Sequence, residues 1–140
     1  MGWKKLKEHY GIEHIVHLTE EGVLIGVPGD PAIIVVGFDG VIKRSNRDLD
    51  EDFARYHKAI ASDPLVALYL IELPDVFSHD ITVYTYRGDE VIAKKCESLG
   101  WPNVTHDGRL MYVNTFSSDK EQIALWIKAN AAIKAAHAKG

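Results

Sequence analysis

Apolar and polar positions repeat with two different periods along this chain, and the switches between them mark its elements. Trp3–Tyr10 reads as a short helix stopped by Gly11. Ile12–Leu18 has the period of a strand: Ile12, His14, Val16 and Leu18 share one face, and Glu13, Ile15 and His17 share the other. A turn over Thr19–Gly22 leads to a second strand, Val23–Val27, and Pro28-Gly29-Asp30-Pro31 is a loop. Ala32–Phe38 is an almost unbroken apolar run, as in a central strand covered on both sides. Asp39-Gly40 predicts a type I′ hairpin turn and Val41–Ser45 the return strand. The first third is therefore a four-strand antiparallel meander.

The period then becomes helical. Leu49, Phe53, Tyr56 and Ile60 fall on one stripe and predict an amphipathic helix over Asp48–Ala61. Asp63-Pro64 is a helix start, with Asp63 as N-cap and Pro64 at the first helical position. The run Leu65–Leu73 suits a buried strand or a short buried helix; the cap favours the helix, which Pro74-Asp75 closes. Ile81–Tyr86 is a strand of β-branched and aromatic residues. Asp89 is read as the cap of a helix to Leu99, with Ile92, Cys96 and Leu99 inward and Gly100 as its left-handed stop. Leu110–Thr115 is a strand. Ser118 and Glu121 form a capping box for a final helix from Asp119 to about His137, which turns Ile123, Trp126, Ile127 and Ala131 to the core.

These elements predict a single α+β domain over residues 1–140. Its sheet is mixed or mainly antiparallel, of about six strands, covered by helices and ending in the long C-terminal helix. If the last two strands are neighbours joined through a helix at Asp89–Leu99, they are parallel with a right-handed crossover.

Composition removes several function classes. Hydrophobic residues make up 46% and charged residues 26%, which argues for a folded chain rather than a disordered one. A net charge of −4 argues against general nucleic-acid binding, and the run Lys4, Lys5, Lys7 reads as the solvated face of a short helix. The lone Cys96 excludes an internal disulfide. No stretch is long and apolar enough to predict a membrane span, and the lysine-bearing start has no apolar core of a secretion signal.

Known chemical motifs are missing. His14 and His17 are three apart, which in a strand puts them on opposite faces, so no shared metal ion is expected. Cys96 sits among apolar positions, where an inert thiol is the expectation. Gly22, Gly26 and Gly29 open no helix and have no following lysine, so they cradle no phosphate. No cofactor is expected. What remains is Gly100–Phe116, which gathers Trp101, Asn103, Thr105, His106, Asp107, Arg109, Tyr112 and Asn114 in one predicted loop and strand. His106 beside Asp107 is a candidate acid–base pair, while Asp107-Gly108 is also a plain turn signal. Arg109 and Arg87 could hold a negative charge. Tyr84 and Tyr86, on one face of their strand, could line a mixed pocket with Tyr112.

The C-terminal half also carries a resemblance. The stretch YTYRGDEVIAKKCESLGWPNVTHDGRLMYVNTF, followed by a capped helix, resembles small uncharacterised accessory proteins of tailed phages and prophages over about Ile81–Asn130. The resemblance implies a setting, the cytoplasm of an infected host, rather than a reaction. With it, the leading expectation is a non-enzymatic binding protein in a counter-defence or host-modulating role. It would act on a host protein or sequester an anionic small molecule, through Trp101–Asn114, Tyr84, Tyr86 and Arg87. Self-association as a homodimer or higher homo-oligomer belongs to that reading. A small hydrolase or phosphodiesterase using His106 and Asp107 is the alternative, and a structural or assembly protein the second.

Overall fold

The structure, a computed structural model, describes residues 1–139, with side chains through residue 135. Its first half is built on β1 (Ile15–Thr19), β2 (Gly22–Val27), β3 (Asp30–Val36) and β4 (Ile42–Ser45), paired in that order, all antiparallel. The register Val16↔Ile25↔Ile34 puts three residues in a row, all fully buried, toward the helices. The alternate row, His17↔Leu24↔Val35, lies on the other face and is buried as well. This is why β2 and β3 are continuous apolar runs, as expected for a strand covered on both sides. Burial pushes the His17 imidazole below its usual pKa against the opposing effect of its bond to Pro31, and its Nε2–H donates to the Pro31 carbonyl (3.0 Å).

The β2–β3 loop shrinks to Pro28-Gly29, with Gly29 at φ +89°. The β3–β4 hairpin forms as expected but not with a type I′ turn. The N–H of Gly40 donates to the Gly37 carbonyl (2.9 Å), and only Gly40 takes positive φ, at +83°. Asp39 instead accepts from the Val41 N–H (3.1 Å), so the loop is a type I turn followed by a left-handed glycine.

Three helices cover one face of this sheet: α1 (Trp3–His9), α2 (Glu51–Ser62) and α3 (Pro64–Glu72). Asp50 caps α2, accepting from the Phe53 N–H (3.0 Å), and Asp63 caps α3 before Pro64, which settles Leu65–Leu73 as helix. Leu6, Phe53, Tyr56, Ile60 and Ile71 pack on Val16, Val23, Ile25, Ile34 and Val36. Each such buried aliphatic or aromatic side chain stabilises the fold by about 1.5–3 kcal/mol.

The second half departs from the sequence reading. No helix follows Asp89. Residues Glu90–Cys96 are β6, which pairs antiparallel with β5 (Ile81–Arg87) along its whole length. Gly88-Asp89 is a two-residue loop with Gly88 at φ +62°, the glycine-first pattern of a type II′ hairpin. Ile92 and Cys96 are four apart, a spacing that shares a face in a helix and in a strand alike. Leu99 fits only the helical period, and it is exposed. Gly100 therefore stops no helix.

The expected strand Leu110–Thr115 is cut to β8 (Leu110–Met111), paired with β7 (Asn103–Val104). The Thr115 and Phe116 N–H groups both donate to the Tyr112 carbonyl, which turns the chain away. The strands thus form three sheets rather than one of six, and the expected parallel crossover is absent among the described residues. Single bridges, Tyr84↔Ser117 and Cys96↔Thr105, tie the later pieces to both edges of the β5–β6 hairpin. Val83, Cys96, Met111 and Phe116 form a second small core.

Helix α4 (Lys120–Lys139) lies against this hairpin. Its cap is Asp119, which accepts from the Glu121 N–H (2.9 Å), rather than a Ser118–Glu121 box. Ile123 is buried, Trp126 and Ile127 half-buried, and Ala131 exposed, contrary to expectation, because the helix runs on past the hairpin end. The fold is α+β with a long C-terminal helix, as the pattern predicted. Among the described residues no helix is long and apolar enough to cross a membrane.

Candidate functional site

The predicted loop Trp101–Asn114 spends most of its chemistry on itself. Thr105 is buried; its hydroxyl donates to the Asp107 carboxylate and accepts from the Arg109 N–H (3.0 Å). Backbone bonds from Thr105 to Arg109 and from Gly108 to Thr105, both 2.9 Å, close the turn. Burial opposes charge on Asp107, but bonds from Lys94 (2.6 Å) and Thr105 outweigh it and hold the carboxyl below its usual range. Asn103 bonds back to Ser98, Trp101 packs on Phe116, and the Arg109 guanidinium sits over the same Phe116 ring at 5.2 Å.

His106 and Asp107 point to different partners. The His106 ring stacks flat on Phe77, with 3.8 Å between centroids and 8° between planes. Its Nε2 meets the His79 carbonyl (3.0 Å) and its Nδ1 lies 3.4 Å from Asp80, not from Asp107. Its backbone N–H donates to Lys95 and its carbonyl accepts from the Trp3 indole N–H (3.0 Å). His106 therefore joins α1, β6 and the segment before β5, and the acid–base pair suggested by adjacency has no shared geometry.

The tyrosine face is split as well. Tyr84 and Tyr86 share one face of β5, and the Tyr86 hydroxyl accepts from Asn130 Nδ2 of α4 (3.1 Å). Tyr86 and Asn114 come together in a shallow cleft of about 230 Å³ with Trp126 and Asn130, which Tyr112 does not line. Arg87 is exposed at the hairpin end, opposite Glu90. His14 and His17 separate as expected: His14 Nδ1 meets the Tyr56 hydroxyl (2.9 Å) inside the helical layer. Cys96 is buried, and burial pushes its thiol pKa up. Among the described residues no cluster of His, Cys, Asp or Glu could hold a metal ion.

A cavity of about 470 Å³ lies elsewhere, between α1 and the chain from Glu97 to Val104. One wall is the helix face carrying Trp3, Lys4 and Lys7; Ile12, Phe77 and Val104 add apolar surface, and Ser98 and Asn103 polar groups. This volume lies within the range of small-molecule sites, and the lining mixes apolar residues with five charged side chains, Lys4, Lys7, Glu8, Glu13 and Glu97. Positions 3 and 7 lie on one side of α1, and Lys4 and Lys7 both line the cavity, so the lysine run is not the freely solvated face expected from sequence. That i, i+4 relation to Trp3 was the available signal.

The two cavity lysines differ. Lys4 Nζ is committed to Glu97 (2.8 Å) and to the Val76 carbonyl (2.9 Å). Burial works against the Glu97 charge, but Lys4 and the Ser78 N–H and hydroxyl more than offset it, leaving its pKa at about 2. Lys7 is half-buried and, among the described residues, makes no ion pair or side-chain hydrogen bond; burial alone lowers its pKa from the usual 10.5.

The Glu97 cluster predicts an acid limb. A folded pKa of about 2, below the model-peptide value of 4.5, contributes stability above the latter that is lost as pH falls toward the former. Glu97→Gln should cost roughly 1–2 kcal/mol near neutral pH, allowing for solvent screening of a partly exposed pair. Urea unfolding at neutral pH and at about pH 2 should show the difference from wild type shrink with acid; a constant difference would contradict the assignment.

Compared with known protein families, curated proteins and solved structures, the chain matches none. The reading of its function rests on the geometry of the cavity.

Proposed function

We propose that this is a non-enzymatic binding protein that takes up a small anionic molecule in the cavity between α1 and the β6–β7 connection. The carrying observation is Lys7, a half-buried ammonium in the wall of this cavity that makes no ion pair or side-chain hydrogen bond among the described residues, although Glu8 and Glu13 also line the cavity. A desolvated, unpaired cation is unfavourable, and an incoming anion restores what burial removed. Trp3 and Phe77 offer apolar surface to the body of the same ligand, and Ser98 and Asn103 neutral hydrogen bonds.

The resemblance of Ile81–Asn130 to phage and prophage accessory proteins supplies a setting, sequestration of a small molecule in an infected host's cytoplasm. The anionic ligand anticipated from sequence is kept, but its site moves from Arg109 and Arg87 to Lys7.

Native mass spectrometry of protein purified without added ligand tests the reading. The expected result is an additional mass lost on denaturation and absent from Lys7→Met. A mass retained by Lys7→Met, or one that proves to be a cation, would count against it.

A further inference from the structure

Resting on that reading, we infer that His106, which does not itself line the cavity, is a positioning residue for it and fixes the two aromatic walls, Trp3 and Phe77. Both rings line the cavity, with 6.0 Å between their centroids. His106 reaches each of them. Its carbonyl accepts from the Trp3 indole N–H (3.0 Å), and its ring stacks on Phe77 at 3.8 Å and 8°.

The Phe77 wall needs such a hold. Residues 74–80, between α3 and β5, belong to no helix or strand, and their N–H and C=O groups make no backbone–backbone hydrogen bond among the described residues. A segment without such bonds is among the first to move. Side chains hold it instead. Asp75 accepts from the Lys4 and Lys5 N–H groups, Lys4 Nζ donates to the Val76 carbonyl, and Glu97 accepts from Ser78. His106 secures the rest, covering the Phe77 ring and meeting the His79 carbonyl through Nε2 (3.0 Å).

This hold depends on a proton. Both ring nitrogens of His106 face acceptors, the His79 carbonyl and the Asp80 carboxylate at 3.4 Å. A neutral imidazole has one N–H and an imidazolium two, so only the charged ring donates to both. Lys94 and Lys95 of β6 and Asp107 share a cleft of about 320 Å³ with His106, His79 adjoins it, and Lys4 of α1 lies 5.1 Å from the Phe77 centroid. Asp107 is taken by Lys94 (2.6 Å), which leaves Asp80 as the carboxylate facing the ring. The tie through Glu97 does not change near neutral pH, because its pKa is about 2. Proton loss from His106, over the range where imidazoles titrate, therefore loosens the Phe77 wall.

The probe is 2-naphthoate, an anion on an apolar ring. It is titrated into the full chain at about pH 5.5 and about pH 8, either side of the imidazole range, while the Trp3 indole N–H resonance is followed by NMR. Wild type should bind about threefold or more tighter at the lower pH, the scale of one hydrogen bond. His106→Phe keeps a ring over Phe77 but has no proton to lose, so its affinity should not change with pH. His79 is intact in that variant, and a pH dependence that survives there belongs to His79 and overturns the inference. His106→Ala should bind about tenfold more weakly than wild type at the lower pH, having lost both the stack and the hydrogen bonds. Wild-type affinity that ignores pH, or His106→Ala binding as tightly as wild type, would remove His106 from this role and leave the binding site standing. If naphthoate does not shift Trp3 even in wild type, the cavity is not a binding site and both readings fall together.

Discussion

Gly40→Ala is expected to lower stability by about 2–4 kcal/mol. Two costs add. Gly40 has φ +83°, a left-handed conformation that an L side chain adopts only with strain, about 1 kcal/mol. The second is contact. A Cβ at Gly40 would stand 2.2 Å from the Pro64 carbonyl oxygen and 2.6 Å from the Leu68 N, both backbone atoms of α3 that no rotamer change can move. The hairpin tip rests on the first turns of this helix, so relief requires lifting β3–β4 from α3. Gly29→Ala is the control: φ is +89° there, but nothing lies within 4 Å of the added methyl. Urea unfolding should show Gly40→Ala costing at least twice as much as Gly29→Ala. Equal costs would mean that the tip does not rest on α3.

Phe116→Ala should cost about 3–5 kcal/mol, the usual range for emptying a buried aromatic site. Phe116 is 1% exposed and packs with Val83, Cys96 and Met111 in the second core. Trp101 closes one side, 6.5 Å between centroids, and Arg109 covers the ring. This core has few members, so there is little neighbouring mass to collapse into the hole. Cys96, fully buried and the chain's single thiol, reports on it directly. A thiol reagent should label Cys96 faster in Phe116→Ala than in wild type, while Phe116→Leu keeps most of the protection. Unchanged labelling together with a loss under about 1 kcal/mol would place Phe116 outside the packed core.

The two halves of the chain were not equally legible in sequence. In the first, strong local signals agree with the packing. Asp63-Pro64 caps α3, Phe53, Tyr56 and Ile60 turn inward together, and the unbroken run of β3 is buried on both faces. In the second, signals compete. Asp89 reads as a helix cap, the structure makes Gly88-Asp89 a hairpin turn, and the spacing of Ile92 and Cys96 satisfies both periods. The ladder with β5 decides, because pairing seven residues with an existing strand outweighs the weak helical preference of Glu90–Cys96.

The candidate site followed the same division. Polar density drew attention to Trp101–Asn114, yet a short loop rich in Thr, Asp and Asn satisfies its own backbone first. Adjacency of His106 and Asp107 said nothing of direction: one side chain turns to Phe77 and Asp80, the other to Lys94. Lys4 and Lys7 lie three apart in an ordinary basic run, and what separates them is a carboxylate 93 residues away that takes one and leaves the other.

The sequence by itself determined the α+β class, the four-strand meander and the helices that cover it, α3 with its Asp63 cap, because these depend on period and turn chemistry within a few residues. Tertiary structure alone decided the β5–β6 hairpin, the stacking of His106 on Phe77 and the cavity at Lys7. Each of these depends on which distant group arrives as a partner. A lone charge or a lone strand edge costs free energy until it is paired, and only the folded chain settles which groups are paired and which are left over.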